Sequence, residues 1–163
     1  KLGAKVTGID FVENNIKVAK QHAKKNNLNI KYLIKDFEKE KINSKFDVII
    51  IFEVLEHLDN WQKFLKKIKL NLNKKGTLII STINRNLASK LLTIDIAENL
   101  LKWIPRNTHS YIKFIKPEEL EFFLLNNNFQ NIKFRGLSFD ILKFNWKLSE
   151  NKKVNYFCSS ILN

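Results

Sequence analysis

The chain of 163 residues has no methionine, one cysteine, two prolines and four glycines, and only three of its 29 basic side chains are arginine. A single thiol, Cys158, cannot form a disulfide framework or a cysteine-based zinc site. That suits a reducing compartment or indifference to redox. No apolar run approaches the ~20 residues needed to span a bilayer, and Lys1-Leu2-Gly3-Ala4 has no signal-peptide pattern. The lack of methionine, position 1 included, predicts that the chain starts inside a longer reading frame. Its first four residues read as the tail of a helix and a turn running into a strand. The shortage of arginine bears on charge. A formal charge of +13 attracts polyanions, but nucleic-acid readers usually add arginine forks on bases and phosphates. Lysines scattered among asparagine and isoleucine predict a solvated surface or one that meets anionic lipid, and no nucleic-acid partner.

What is present is a foldable composition. Hydrophobic residues make up 44% of the sequence, enough for a core rather than disorder, and the length fits a single domain over 1–163. Strand Lys5–Ile9 runs into Asp10 and a helix from about Glu13 to Lys25, whose Ile16, Ala19 and Ala23 recur at helical spacing. Ile30–Ile34 alternates as a strand, followed by Asp36-Phe37. Phe46–Phe52 reads as a fully buried strand. Trp61–Leu72 is predicted as a helix with Trp61, Phe64, Leu65, Ile68 and Leu72 on one face, closed at Asn73-Lys74-Lys75-Gly76 with Gly76 as a left-handed cap. Thr77–Ser81 is the next strand. Alternating strands and helices imply parallel pairing through right-handed crossovers. Later, Leu87–Ile104 reads as one long helix halted by Pro105. Lys116-Pro117-Glu118-Glu119 opens another, with proline in the first turn and acids to complement the dipole. Phe129–Phe134 and Val154–Ser160 read as a closing antiparallel pair.

The chemistry concentrates where strands end. Ligands of open parallel sheets bind beyond the carboxyl ends of the strands. There, Phe46–Phe52 gives way to Glu53-Val54-Leu55-Glu56-His57, and Lys5–Ile9 gives way to Asp10. If Glu53 opens a helical turn, positions three and four later face the same way, so Glu53, Glu56 and His57 can converge on one cation. The other reading is a capped, solvated helix start with His57 packed on Trp61. An imidazole in the set would suit zinc, manganese or iron at least as well as magnesium.

Several segments together resemble class I S-adenosylmethionine-dependent methyltransferases, and more closely the ubiquinone-biosynthesis O-methyltransferases. They are Gly3-Ala4-Lys5-Val6-Thr7-Gly8-Ile9-Asp10, Glu53-Val54-Leu55-Glu56-His57, Ser81-Thr82-Ile83-Asn84-Arg85-Asn86, Ile104-Pro105-Arg106-Asn107-Thr108-His109, Phe114-Ile115-Lys116-Pro117-Glu118-Glu119-Leu120 and Val154-Asn155-Tyr156. The resemblance implies a Rossmann-like α/β sheet, mostly parallel with a C-terminal antiparallel pair. It also implies that the family's first strand and its Gly-rich loop, at the sheet centre, belong just before Lys1; the fold is expected to be N-terminally truncated. The implied cofactors are S-adenosylmethionine, with Asp10 on the ribose hydroxyls and the Phe52 backbone against the cofactor, and a divalent metal, magnesium in the family, on Glu53, Glu56 and His57. Asp10 can instead cap the following helix. Asp36-Phe37 stands either near the adenine or as a turn.

The implied reaction is methylation of a polyprenyl phenol or catechol hydroxyl. A bound cation lowers the phenol pKa, or His57 serves as general base. His109 is a further candidate. The segment at about 84–115 is expected to be a helical lid or a membrane-contacting insertion. The implied partners are a polyprenylated quinol, an anionic membrane surface and a ubiquinone-biosynthesis complex, placing the protein in the cytoplasm, peripheral at the inner membrane. The competing readings are a methyltransferase of another pathway and a truncated, non-catalytic remnant. Nucleic-acid amino-methylation would need an Asn/Asp-Pro-Pro-aromatic segment where Phe52-Glu53-Val54-Leu55 stands.

Overall fold

A computed structural model describes residues 3–92, 94, 110–140 and 145–163, which fall into two compact units, 1–43 and 44–163.

In the first unit, β1 (Val6–Asp10) and β2 (Ile30–Ile34) pair in parallel, with Val6 opposite Ile30 and Asp10 opposite Ile34. The connection between them is α1 (Glu13–Lys25), which lies where the helical spacing places it and buries Ile16 and Ala23. Parallel neighbours need such a crossover because a short turn can only reverse the chain. Asn27, just past the helix, takes the left-handed conformation (φ 52°) that asparagine tolerates. Gly8 lies under the Tyr32 ring, so close that a Cβ there would be 2.8 Å from two ring carbons.

The second unit is a five-stranded mixed sheet in the order β3-β4-β7-β5-β6. The strands are β3 (Phe46–Phe52), β4 (Leu72–Ile83), β5 (Phe129–Asp140), β6 (Asn145–Ser149) and β7 (Asn155–Leu162). β3 and β4 are parallel. β7 runs antiparallel to both β4 and β5, and β6 antiparallel to β5. The expected closing pair is therefore three strands. β6 escaped the sequence reading because Asn145-Trp146-Lys147-Leu148-Ser149 is short, and Leu148 is exposed rather than core.

Helix α2 (Trp61–Lys69) is capped by Asn60, whose Oδ1 accepts the Lys63 N–H at 2.8 Å. It buries Leu65 and Ile68. The helix ends earlier than its periodicity suggests. Leu72, read as its last apolar position, is instead the first residue of β4 and pairs with Phe46. The left-handed residue is Lys75 (φ 61°), not Gly76. Gly76 serves close approach instead: a Cβ there would lie 2.8 Å from the Asn73 carbonyl oxygen and 3.2 Å from that of Asp47.

Beyond β4 comes a helical turn, α3 (Leu87–Ser89), capped by Asn86, whose Oδ1 accepts the Ser89 N–H at 2.9 Å. The rest of the predicted Leu87–Ile104 helix, Pro105 and His109 lie outside the described residues, apart from 90–92 and 94. Helix α4 (Pro117–Leu125) starts on proline as expected and buries Pro117, Leu120 and Leu124.

The core lies on one face of the sheet. Leu78, Ile80 and Thr82 of β4 and Tyr156, Cys158 and Leu162 of β7 are buried there, alternating with residues of the opposite face as strand geometry requires. Burial raises the Cys158 thiol to about 12 and the Tyr156 phenol further still, so neither ionises at neutral pH. The Tyr156 hydroxyl donates to the Ile115 carbonyl at 3.0 Å. The Ile115 N–H in turn donates to Ile83 at 3.0 Å, tying the chain before α4 to the end of β4. Tyr156→Phe is expected to cost about 1 kcal/mol, since it leaves a buried carbonyl without its donor; a shift in the urea midpoint checks this.

Candidate functional site

The carboxyl ends of β3 and β4 lie side by side, with Phe52 opposite Ser81. There β3 turns abruptly. Glu53 has φ 51°, a left-handed conformation that glutamate seldom adopts. Of the five non-glycine residues with positive φ among the described residues, three are asparagine and the others are Glu53 and Lys75. Asparagine suits this conformation through its short polar side chain, so only Glu53 and Lys75 need another cause. At Glu53 the cause is visible. Its N–H donates to the Ser81 carbonyl at 3.1 Å and to Ser81 Oγ at 3.2 Å. Ser81 Oγ–H donates to Glu53 Oε1 at 2.7 Å, and Asn155 Nδ2 donates to Glu53 Oε2 at 3.1 Å.

Glu56 occupies the opposite environment. It sits in a 3-10 turn (Leu55–His57) and is 1% exposed. Thr82 Oγ–H donates to its Oε2 at 2.7 Å, while its Oε1 is buried with no hydrogen-bond partner. Burial pushes this carboxyl from 4.5 up to about 7; the Thr82 hydroxyl pulls the other way, and the like charge of nearby Glu53 adds to the rise. Successive residues of a strand point to opposite faces, yet Ser81 and Thr82, consecutive on β4, each hold one acid, Glu53 and Glu56, and the two acids lie close enough to interact.

His57 is exposed, and its carbonyl accepts Lys113 Nζ at 3.4 Å. Trp61 packs edge-on against Phe123 (5.2 Å, 68°). Among the described residues, no group of three or more His, Cys, Asp or Glu side chains is arranged to hold a metal ion. The helical turn expected to bring Glu53, Glu56 and His57 together is not what the backbone builds. A left-handed Glu53 followed by a 3-10 turn does not produce the i, i+3, i+4 face of a helix. The two carboxylates are neighbours, and the buried orphan oxygen of Glu56 fits a hard cation, because magnesium is typically held by one or two carboxylates with other oxygens completing its shell.

Phe52 is not core, contrary to the fully buried strand expected. Its ring is half exposed and meets Phe157 edge-on (5.5 Å, 75°), and Val48 and Ile50 on the same face are also exposed. In the first unit, Asp10 ends β1 with one hydrogen bond on each oxygen, Val12 N–H to Oδ1 at 2.8 Å and Asn15 Nδ2 to Oδ2 at 2.9 Å. This turn orders the entry to α1 and leaves lone pairs free on both oxygens. Asp36 forms a turn, accepting the Glu38 N–H at 3.0 Å and pairing with Lys39 at 2.9 Å.

The Asn84-Arg85-Asn86 segment has a role that sequence reasoning missed. Asn84 Nδ2 donates to the Lys152 carbonyl at 2.8 Å and Asn86 Nδ2 to the Lys153 carbonyl at 2.7 Å. Arg85 reaches the other way, to the Ile112 carbonyl and the Glu119 carboxylate. Two asparagines spaced one residue apart after a strand were the signal available, but their partners lie nearly seventy residues on.

A methyltransferase domain model covers residues 1–132. Ubiquinone biosynthesis O-methyltransferase of Rickettsia canadensis (strain McKiel) is 42% identical over 155 residues, 95% of this chain and 66% of that protein. The protein of the same name from Pelagibacter ubique (strain HTCC1062) is 42% identical over all 163 residues, 68% of its length. This chain belongs to the ubiquinone biosynthesis O-methyltransferase family. It spans about two thirds of the length of these two family members. The fold is that of class I methyltransferases: magnesium protoporphyrin IX methyltransferase from Synechocystis PCC 6803, solved with bound SAH, superposes with a TM-score of 0.69 at 17% identity, over 99% of this chain and 65% of that one.

Proposed function

We propose that this chain belongs to an enzyme that transfers a methyl group from S-adenosylmethionine to a hydroxyl of a polyprenyl phenol or catechol in ubiquinone biosynthesis, including 2-polyprenyl-6-hydroxyphenol and 3-demethylubiquinol. The observation that carries it is the 42% identity over the whole chain to a protein of that name, together with two carboxylates just after β3 that are held by the end of β4.

The phenolic oxygen attacks the sulfonium methyl carbon. The new O–C bond forms as the S–C bond breaks, the sulfur leaves as a neutral thioether, and the phenol proton must go to a base. Asp10 would hold the cofactor ribose, since both its oxygens retain acceptor capacity, and the Phe52 backbone would line the cofactor. In one route His57, exposed beside the strand tip, would take the proton as general base; the alternative is a bound cation. Glu53 and Glu56 are the residues to hold a divalent cation, with His57 the third candidate ligand; such a cation, magnesium in this proposal, lowers the pKa of a bound hydroxyl. Most of the rate gain would come from positioning.

The polyprenyl tail places the work at a membrane. Leu87, Leu91 and Ile112, within the segment at about 84–115, are exposed, and no helix among the described residues is long and apolar enough to cross a bilayer. With a charge of +13, this supports a peripheral site on anionic lipid at the cytoplasmic surface of the inner membrane, within reach of other ubiquinone-biosynthesis proteins.

Radiolabelled methyl transfer to a demethylated quinol tests the activity, and its absence in the protein carrying this sequence would refute the proposal. Asp10→Ala should weaken S-adenosylmethionine binding by about 10- to 100-fold in calorimetry, the worth of hydrogen bonds to a charged group. Unchanged affinity would remove Asp10 from the cofactor site.

A further inference from the structure

The hydroxyls of Ser81 and Thr82 and the amide of Asn155 have no part in the proposed methyl transfer as acid, base or cofactor contact. Ser81 and Thr82 are 3% and 0% exposed, where a hydroxyl must find a partner. Neither uses its hydroxyl within the strand ladder. Ser81 both accepts the Glu53 N–H and donates to Glu53 Oε1 (3.2 and 2.7 Å), which closes a small ring around the left-handed residue. Thr82 donates to Glu56 Oε2 at 2.7 Å, and Asn155 donates to Glu53 Oε2 at 3.1 Å. A backbone conformation that glutamate disfavours persists only where surrounding contacts over-determine it, and Ser81 supplies two of them. The remaining oxygen, Glu56 Oε1, is buried and unpartnered.

We propose that Ser81, Thr82 and Asn155 are positioning residues that hold the Glu53 and Glu56 carboxylates as one preorganised pair for the acceptor hydroxyl. The physical reason for three donors is that two adjacent carboxyl groups drift apart unless each is tethered. Hydroxyl and amide donors do this without neutralising the charge, as a lysine or arginine would. One strand contributes both hydroxyls from consecutive positions, so the spacing of the acids is fixed by the rigid geometry of β4 rather than by a loop. The inference rests on the proposed methyl transfer for its role, but not for its geometry.

Ser81→Ala and Thr82→Val, with Thr82→Ser as the conservative variant, decide the matter in the protein carrying the full chain. Ser81→Ala is expected to lower kcat by about 10- to 100-fold, the usual effect of removing the support of a ligating or reacting group, with the KM for S-adenosylmethionine nearly unchanged and the melting temperature lowered by only a few degrees. Thr82→Val should act likewise, and Thr82→Ser should restore most of the rate. A kcat within twofold of wild type in Ser81→Ala overturns the proposal. So does a loss that tracks the melting temperature and is not restored by Thr82→Ser, because that is a structural role. Mn²⁺ affinity, read by calorimetry without turnover, gives a separate arm. If the wild type transfers no methyl group to a quinol, the functional reading falls; the positioning role then stands only if Mn²⁺ binds the wild type and binds both Ser81→Ala and Thr82→Val at least tenfold more weakly. A wild type that binds no Mn²⁺ and transfers no methyl overturns both.

Discussion

Replacing Glu56 with glutamine should flatten the dependence of stability on pH. The Glu56 carboxyl is raised from 4.5 to about 7, first by burial and then by the neighbouring Glu53. Between those values the folded state holds a proton that the unfolded state has released, so wild-type stability must fall as pH rises through that window and level off above it. At about 1.4 kcal/mol per unit, the loss is on the order of 3 kcal/mol. Glutamine keeps the oxygen that accepts from Thr82 and cannot ionise, so the variant should be the more stable protein above neutral pH. The exposed acids act elsewhere: hydrogen bonds from Lys39, Lys35 and Lys113 lower Asp36, Glu40 and Asp59 respectively. Their contribution is present above their unfolded pKa values and lost only as pH falls below about 4. Urea unfolding at several pH values from 4.5 to 8 makes the comparison, and equal slopes in the two proteins would refute the assignment. The same substitution should cost methyl transfer at least tenfold, because it removes half of the carboxylate pair. Higher stability with lower activity is the mark of a group retained for function.

Gly136→Ala should cost about 3 kcal/mol or more, in the upper range for overpacking a filled interior. Gly136 is buried in β5, opposite Ser149 and Tyr156. A Cβ there would fall 1.7 Å from the Asn151 carbonyl oxygen and 2.3 Å from its carbon, and backbone atoms cannot swing aside as a side chain can. Nor is the 151–154 loop free to retreat. The Asn84 and Asn86 side chains hold the Lys152 and Lys153 carbonyls, the Asn84 N–H donates to Val154 at 2.8 Å, and Lys153 N–H donates to Asn151 Oδ1 at 3.0 Å. Making room means breaking several of these at once. For a chain of this length the expected fall in melting temperature is about 10 °C. Gly8→Ala is the control: its added carbon meets only the Tyr32 ring, which can rotate, so the loss should be much smaller. A melting temperature within 2 °C of wild type in Gly136→Ala would show that the loop yields after all.

The elements that the sequence revealed are those whose period is set locally. α1 spans Glu13–Lys25 as its Ile16 and Ala23 spacing requires, β3 spans the apolar run Phe46–Phe52, and α4 begins at Pro117. Reading failed where a neighbour outweighed local preference. Leu72 continues the helical stripe of α2 yet joins β4, because pairing with Phe46 extends the sheet. Gly76 was the natural left-handed cap, but Lys75 takes that conformation while Gly76 is pressed between carbonyls.

The site divides along the same line. Composition and motif located the acids Asp10, Glu53 and Glu56 at strand ends, since a carboxylate after an apolar run is a one-dimensional signal. How Glu53 and Glu56 are held depends on residues more than twenty positions away on β4, and on Asn155, 102 residues from Glu53. A sequence pattern records the order of residues along the chain, whereas hydrogen bonds between adjacent strands depend on register. Only the folded sheet, by setting Ser81 beside Phe52, decided that one acid would be exposed and tethered and the other buried with an oxygen to spare.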